Sequence, residues 1–388
     1  METLDMTLEL SVVIPCLNES GTLAKAVSLA SELIAASGLP GEVVISDNGS
    51  DDGSQRIAEE AGARVVSADR RGYGFALLAG IRAAKGRIIV MGDADATYDF
   101  REAIDLVQAV QKGADLAMGS RLRGDIKPGA MPPLHRYLGT PVLTTLIRLF
   151  FGLRISDCNC GMRAFSKEAF DKMGLVSGGM EFASEMLIKA ALCNLKVVEF
   201  PVSLHVDTRN RKPHLNTWRD GWRHLRFILL FAPHIVFTAP GWILSAVFGM
   251  MILLLSLGPL LVGDVRLDYH HLFYAVPLFC IGVQLLWFSA FAKKFRTFVG
   301  LDAAESATPR KFHLERWLGL GLLLGVSGLA VFTTLLVRWS ASGHGALLAI
   351  RPAILGLTLV LTGFLTIMNA LMLSMLELHF DSRATTHR

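Results

Sequence analysis

Two regimes of hydrophobic patterning divide the chain. Up to about residue 215, short β-branched runs, Leu10–Ile14, Glu42–Ser46 and Arg87–Met91, alternate with stretches in which apolar residues return at helical period. This is the pattern of an α/β domain built from βαβ units on a mainly parallel sheet. Beyond about residue 232 the alternation stops, and four long apolar segments follow over roughly 234–262, 271–292, 316–338 and 350–377. Each meets the roughly 20 residues a helix needs to cross a bilayer. Between the regimes, Asn216–Leu230 puts Trp218, Trp222, Leu225 and Leu229 on one helical face and Arg219, Arg223 and Arg226 on another. That moment predicts an in-plane interfacial helix; an ordinary surface helix packed on the sheet domain has the same moment. Pro132–Arg154 likewise combines an apolar run with Arg136, Arg148 and Arg154, and is a second candidate for headgroup contact. The expected organisation is a sheet domain over 1–215, an interfacial helix over 216–232, an all-α transmembrane domain of four helices over 233–380, and a tail over 381–388.

Charge orients these parts. The loop between the second and third apolar segments carries Lys293, Lys294, Arg296, Arg310, Lys311 and Arg316, which places it on the cytoplasmic side. Four spans then return the sheet domain and the tail to that side. The opening METLDMTLEL has neither the basic nor the apolar region of a secretory signal, so the same location is expected from the N-terminus. The 38 basic and 34 acidic residues are too balanced to argue for a nucleic-acid partner. Five cysteines form no CxxC pair or disulfide framework, and Cys158-Asn159-Cys160 is a poor zinc signal; a reducing compartment is the economical reading. Gly321 and Gly325 form a small-xxx-small pair, which suits close packing either within the chain or in a homo-oligomer.

The candidate chemistry gathers where the predicted strands end, the edge at which ligands collect in an open parallel sheet. The first strand runs into Pro15-Cys16-Leu17-Asn18-Glu19 and the second into Asp47-Asn48-Gly49-Ser50-Asp51-Asp52-Gly53, for which a helix N-cap at Asn18 and a turn at Asp52-Gly53 are the plain structural alternatives. The third runs into Gly92-Asp93-Ala94-Asp95. Two carboxylates at i, i+2 after an apolar strand can direct one acid to Mg²⁺ or Mn²⁺ and the other to a sugar or ribose, an arrangement that suits a diphosphate leaving group.

Taken in order, VVIPCLNE, ISDNGSDDG, GYGFALLAGIRAAKG, IIVMGDADATYDF, MGSR and ISDCNCGMRAF resemble the family 2 glycosyltransferases of the GT-A fold, within them the dolichol-phosphate mannose and polyprenyl-phosphate glucose synthases. The resemblance covers about residues 8–215, and appended C-terminal spans are typical of that branch. It implies a donor site lined by Pro15, Leu17, Glu19, Ile45, Asp47, Asp93, Ala94, Asp95 and Thr97, with Asp93 and Asp95 as metal ligands and Asp95 the principal one. It implies active-site phosphate contacts for Arg121, a donor-diphosphate clamp for Arg209, and an acceptor-phosphate pair in Arg136 and Thr140. Asp157-Cys158-Asn159-Cys160-Gly161-Met162-Arg163 takes the place of the family's DxxSGFR block, Cys160 replacing Ser. Asn48 replaces the family's second acid, Thr97 its usual Gln, and Lys212-Pro213-His214-Leu215 its Gly-x-Ser-Lys ending, so the residue completing the clamp stays open. A juxtamembrane basic patch is the plain alternative for the Val206–His214 segment.

The activity so implied is an inverting, metal-dependent transfer of one sugar from a UDP-glucose or GDP-mannose type donor to an undecaprenyl or dolichyl phosphate, by a multi-pass protein of the bacterial plasma membrane or its equivalent, serving cell-envelope glycan. A processive polysaccharide synthase is the enzymatic rival, although no glutamine here starts its Gln-x-x-Arg-Trp motif. A catalytically silent scaffold or lipid-linked-sugar translocase is the other.

Overall fold

The computed structural model describes residues 8–207, 209, 217–298, 312–345 and 349–384. Arg211, Lys212, His214, Arg310 and Lys311 lie outside these residues. The chain divides into two compact units, one holding residues up to Phe231 and the other beginning at Ala232.

The first unit is built on a seven-stranded sheet: β1 (Leu10–Cys16), β2 (Gly41–Asp47), β3 (Arg64–Ser67), β4 (Ile88–Met91), β5 (Leu116–Ser120), β6 (Arg163–Ser166) and β7 (Val197–Pro201), in the order β3-β2-β1-β4-β6-β5-β7. All pairings are parallel except those of β6, which runs against both β4 and β5. This is the mixed, mostly parallel sheet expected of a GT-A domain. The acid-bearing strand is the fourth in chain order, not the third: β3 is only four residues long, half-buried, and sits at the sheet edge, where a weak apolar signal suffices.

Helices cover both faces, as a sheet buried on two sides requires. They are α1 (Leu23–Ser37), α2 (Ser54–Glu60), α3 (Tyr73–Ala83), α4 (Ile104–Gln111), α5 (Thr140–Phe151), α6 (Lys167–Met173), α7 (Phe182–Leu192) and α8 (Thr217–Phe231). One core lies under α1 and α4 and contains Ile14, Ile45, Val90 and Leu106; the other lies under α3, α5, α7 and α8 and contains Val13, Met91, Phe182 and Phe231. A turn of π-helix, His135–Gly139, leads into α5. This stretch keeps Ile147 inside while Tyr137, Leu138, Val142 and Leu149 are exposed; α8 buries Phe227 and Ile228 and exposes Trp218 and Trp222.

Among the described residues of the second unit, four helices are long and apolar enough to cross a membrane: His234–Leu257, Tyr269–Arg296, Leu314–Ala341 and Ile350–Leu376. Their α-helical parts are α9 (Ala239–Leu257), α10 (Leu272–Phe298), α11 (Leu314–Ala341) and α12 (Ile350–Ala384). The first apolar segment, expected to reach residue 262, leaves the helix at Gly258; Leu260–Val262 (β8) and Val265–Leu267 (β9) pair as a hairpin around Gly263. The small-residue pair is used inside the chain. A Cβ on Gly363 of α12 would lie 2.6 Å from the Gly321 carbonyl and 2.7 Å from the Gly325 amide nitrogen of α11, so the two backbones touch. Gln284 and Asn369 exchange two side-chain hydrogen bonds of 3.0 Å between α10 and α12, satisfying both amides away from water.

Candidate active site

Six strands deliver their carboxyl ends, and β6 its amino end, to one edge of the sheet. The loops after β1 and β2 are laced together there. Asn18, in the left-handed region at φ +58°, donates its amide to Ser50 Oγ and accepts the Asp51 amide on its side-chain oxygen, both at 2.9 Å. The Glu19 amide donates to Ser54 Oγ at 3.0 Å. Asp47 is buried and accepts the Gly49 and Ser50 amides and Gln55 Nε2, the last at 2.7 Å. Burial alone would raise its pKa, but those bonds outweigh it and hold the carboxyl below the usual range. A nucleobase reaching Asp47 has to share or replace these bonds. Asn48 is explained by its two-sided amide: Nδ2 donates to the Arg70 carbonyl and Oδ1 accepts the Gly72 amide. A carboxylate could make only the second bond.

Ile45 offers a donor no side chain, only its backbone. Its side chain is fully buried in the core, because β2 has both faces covered and its inward positions are spent on packing. Ala94 is also buried, with 3% exposure, so any contribution it makes is through its backbone. Pro15 and Leu17 remain half-buried at the end of β1.

The acid pair follows β4 directly. Asp93 Oδ1 accepts the Tyr73 hydroxyl at 2.9 Å, while Oδ2 lies against Gly161, where a Cβ would come within 2.6 Å of it. Asp95 Oδ1 accepts the amide and the hydroxyl of Thr97, at 3.1 and 2.6 Å. Between them and Thr97, Ala96 is held at φ +57°, a conformation that costs a non-glycine residue about 1 kcal/mol or more and collects at functional sites. Burial, then the charge of Asp95, pushes the Asp93 carboxyl up to about 6 against the opposing pull of Tyr73, Arg121 and Arg209.

Two arginines face these acids. Arg209 donates to Glu19 Oε1 at 2.6 Å, to Asp95 Oδ2 at 3.1 Å and to Asp207 Oδ2 at 2.6 Å. Burial would lower its pKa, but the bond to Asp207 and the charges of Asp95 and Glu19 prevail and raise it. Arg121 is no surface ion pair. It forks onto the fully buried Asp157 with bonds of 2.7 and 2.9 Å, and its own amide adds a third at 3.1 Å. Glu199, from β7, holds the Asp157 loop by accepting the amides of Ser156 and Asp157.

Thr140 is buried and its hydroxyl accepts from Asn159 Nδ2 at 3.3 Å, tying α5 to the Asp157–Arg163 block. Arg136, one turn earlier, is exposed with its guanidinium 5.6 Å from the Tyr137 ring centroid. Burial pushes the Cys160 thiol to about 12, so it packs as a neutral thiol and is no nucleophile at neutral pH. Arg163, fully buried, spends its guanidinium on the carbonyls of Cys158, Cys160 and Ala183.

The site residues that sequence reasoning passed over are Tyr73, Asp157, Asp207 and Glu199. Asp157 and Tyr73 stand inside motif blocks, but nothing in a single sequence says which side chain in a block faces which other. Glu181, at the start of α7, has Oε2 buried without a hydrogen-bond partner among the described residues.

Among the described residues no three His, Cys, Asp or Glu converge as a ready-made metal centre. Mg²⁺ commonly takes only one or two protein carboxylates, the rest of its shell coming from water and substrate phosphates. Asp93 and Asp95 supply such a pair. Their mutual repulsion, and the guanidinium lodged among Glu19, Asp95 and Asp207, mark this as a place that attracts a cation, so the residues fit a divalent ion.

Comparison with known proteins gives the site its family. Residues 11–174 match the model for glycosyl transferase family 2, and residues 297–377 match that for the glycosyltransferase family 2 C-terminal transmembrane region. The low-salt glycan biosynthesis hexosyltransferase Agl6 of Haloferax volcanii is 39% identical over 376 residues, covering 93% of this chain and 89% of its own. A dolichyl-phosphate hexose transferase of the same organism is 30% identical over 161 residues, covering 42% of this chain and 68% of its own. Among solved structures, glucosyl-3-phosphoglycerate synthase from Mycobacterium tuberculosis aligns at 23% identity and a TM-score of 0.47 over 58% of this chain and 80% of that one. The acid pair at the sheet edge, the two matched regions and the near full-length likeness to a hexosyltransferase lead to one assignment: this chain belongs to the family 2 glycosyltransferases and carries their C-terminal transmembrane region.

Proposed function

We propose that the chain transfers a single sugar, with inversion, from a nucleotide-sugar donor to a polyprenyl phosphate at the cytoplasmic face of a membrane. The observation that carries this reading is the acid pair Asp93 and Asp95 directly after β4, with Arg209 bridging Asp95 to Glu19 at the end of β1. The likeness to a dolichyl-phosphate hexose transferase supports a lipid-phosphate acceptor.

In this reading Asp95, with Asp93 beside it, would hold Mg²⁺ or Mn²⁺, which when bound supplies positive charge to the departing nucleoside diphosphate. Arg209 adds a guanidinium on the same side and exchanges its carboxylate partners for diphosphate oxygens. Arg121, held by Asp157, is near enough for its charge to pull the Asp93 carboxyl down. Arg136, on the exposed turn before α5, is free of the sheet core and suited to a lipid phosphate. A phosphate monoester is already anionic near neutral pH, so no side chain need remove a proton; positioning and charge neutralisation provide the rate.

The exposed Tyr137, Leu138, Val142 and Leu149 before and on α5, and Trp218 and Trp222 on α8, form apolar surface on the first unit. Their proposed neighbour is the acyl–headgroup boundary. The basic residues Lys293, Lys294 and Arg296 at the end of α10 and Arg316 at the start of α11 support a cytoplasmic location for the catalytic unit.

The test incubates membranes containing the protein, or its Asp95→Ala variant, with polyprenyl phosphate, Mg²⁺ or Mn²⁺, and radiolabelled UDP-glucose or GDP-mannose. The expected result is metal-dependent label in a lipid carrying one sugar, absent with the variant. Label in polymer would favour a processive synthase, and retention of anomeric configuration would reject the single displacement. Nucleotide-sugar binding without turnover on any lipid would favour a silent scaffold.

A further inference from the structure

Tyr73 takes no part in the roles proposed above, yet among the described residues it makes the one hydrogen bond to the Asp93 carboxylate. Its hydroxyl donates to Oδ1 at 2.9 Å. The tyrosine opens α3 between two glycines, and both are pressed against a second loop. A Cβ on Gly72 would stand 2.3 Å from the Gly178 carbonyl oxygen, and one on Gly74 would stand 2.2 Å from that of Ser177. No side chain fits either place. The amides of Gly74 and Phe75 donate to the Gly178 carbonyl at 3.0 and 3.3 Å, closing the contact with backbone bonds.

That second loop is anchored from within the core. Glu185 accepts the amides of Val176 and Ser177, and is paired with Lys189 at 2.9 Å, both side chains being fully buried. Lys189 also donates to the Gly174 carbonyl at 2.6 Å. From the other side the Gly72 amide is held by Asn48 Oδ1 at 2.8 Å, so the end of β2 fixes the same turn. The tyrosine backbone is thus pinned on two sides, and its ring reaches the first acid of the Asp93-Ala94-Asp95 motif. Beside the opposite carboxylate oxygen, Gly161 leaves no space for a side chain.

We propose that Tyr73 is a positioning residue for the transfer reaction: it occupies Oδ1 of Asp93 and orients the carboxylate, leaving Oδ2 as the oxygen presented to the metal–nucleotide complex. The inference rests on the function proposed above. Its sequence carrier is Gly-Tyr-Gly, in which the glycines admit the Ser177–Gly178 backbone and the tyrosine supplies the hydroxyl.

Tyr73→Phe keeps the ring and removes only the donor. Mn²⁺ binding to the full-length protein in detergent, followed by electron paramagnetic resonance with UDP or GDP present, should weaken about tenfold, the size expected for a hydrogen bond to a charged group. Donor KM or kcat should change by a similar factor while acceptor KM stays within twofold, a split that a general loosening of the fold would not produce. In a cycle with Asp93→Asn the two substitutions should be non-additive, since one acts through the other. This cycle keeps the test valid if Tyr73→Phe also lowers the melting temperature. Wild-type binding that is unchanged within twofold in Tyr73→Phe, or additive effects in the cycle, would overturn the proposal alone. Absence of any Mn²⁺-dependent nucleotide binding by the wild type would overturn the underlying function and this proposal with it.

Discussion

The pair most open to a quantitative test is Arg121–Asp157. Asp157 is fully buried, the Arg121 side chain is 13% exposed, and the carboxylate accepts four bonds: two from the guanidinium, one from the Arg121 amide and one from the Asn159 amide. Asp157→Asn keeps the shape but removes the charge and turns one acceptor into a donor facing donors. Unit charges about 4 Å apart at an effective dielectric near 20 interact by about 4 kcal/mol. Removing one member of a buried pair costs about 3–5 kcal/mol, since the other charge stays behind. Taking about 3 kcal/mol as the lower figure, and about 2–4 °C per kcal/mol for a unit of this size, the melting temperature in detergent should fall by roughly 6–12 °C. Sugar transfer should fall as well, because Arg121 loses the partner that fixes its position. The control is Arg121→Met with Asp157→Leu, in which an apolar pair replaces the ionic one; it should recover most of the stability and none of the transfer. An Asp157→Asn protein melting within about 2 °C of wild type would refute the assignment of this pair as a buried, structurally required ion pair.

Three further outcomes follow from the same geometry. Gly161→Ala should cut transfer by about two orders of magnitude, because its Cβ would stand 2.6 Å from Asp93 Oδ2 and displace it, at a stability cost of about 1–3 kcal/mol; an unchanged initial rate would refute the contact. Asp93 binds its proton more tightly in the fold than in the unfolded chain, its pKa having risen from 3.8 to about 6. Its contribution to stability is therefore present below pH 4 and lost as pH rises through 6, while metal must compete with that proton. Mn²⁺ affinity should fall about fivefold between pH 6 and pH 5, and a flat titration would contradict it. Arg209→Gln removes one positive charge that Glu19, Asp95 and Asp207 share, so Mn²⁺ should raise the melting temperature more in the variant than in the wild type, while transfer falls roughly 100-fold. Equal Mn²⁺ shifts in the two proteins would show that the cluster does not attract the ion.

Local pattern alone determined a good deal of this protein. The strands β1, β2 and β4 and the four membrane-length helices were legible because burial imposes a period on the residues that experience it, and a lipid core imposes a length. The position of Asp93-Ala94-Asp95 directly after an apolar strand placed the acids at the sheet edge before any coordinates. The short edge strand β3 was missed, since half-buried positions need no apolar signal, and so was the hairpin that shortens the first span at Gly258.

Tertiary structure decided which side chains face one another. Ile45, six residues after Leu39 and two before Asp47 in the chain, reads as a neighbour of the site but is consumed by the core. Arg121 reads as a phosphate ligand but is first the partner of Asp157, 36 residues away. Tyr73 and Gly161 meet at Asp93 because β6 runs antiparallel and brings its amino end to the edge where the parallel strands finish. Hydrogen bonds and ion pairs act over about 3 Å in space without regard to separation along the chain, so their partners are set by the packing of the elements. Periodicity records only whether a residue is buried.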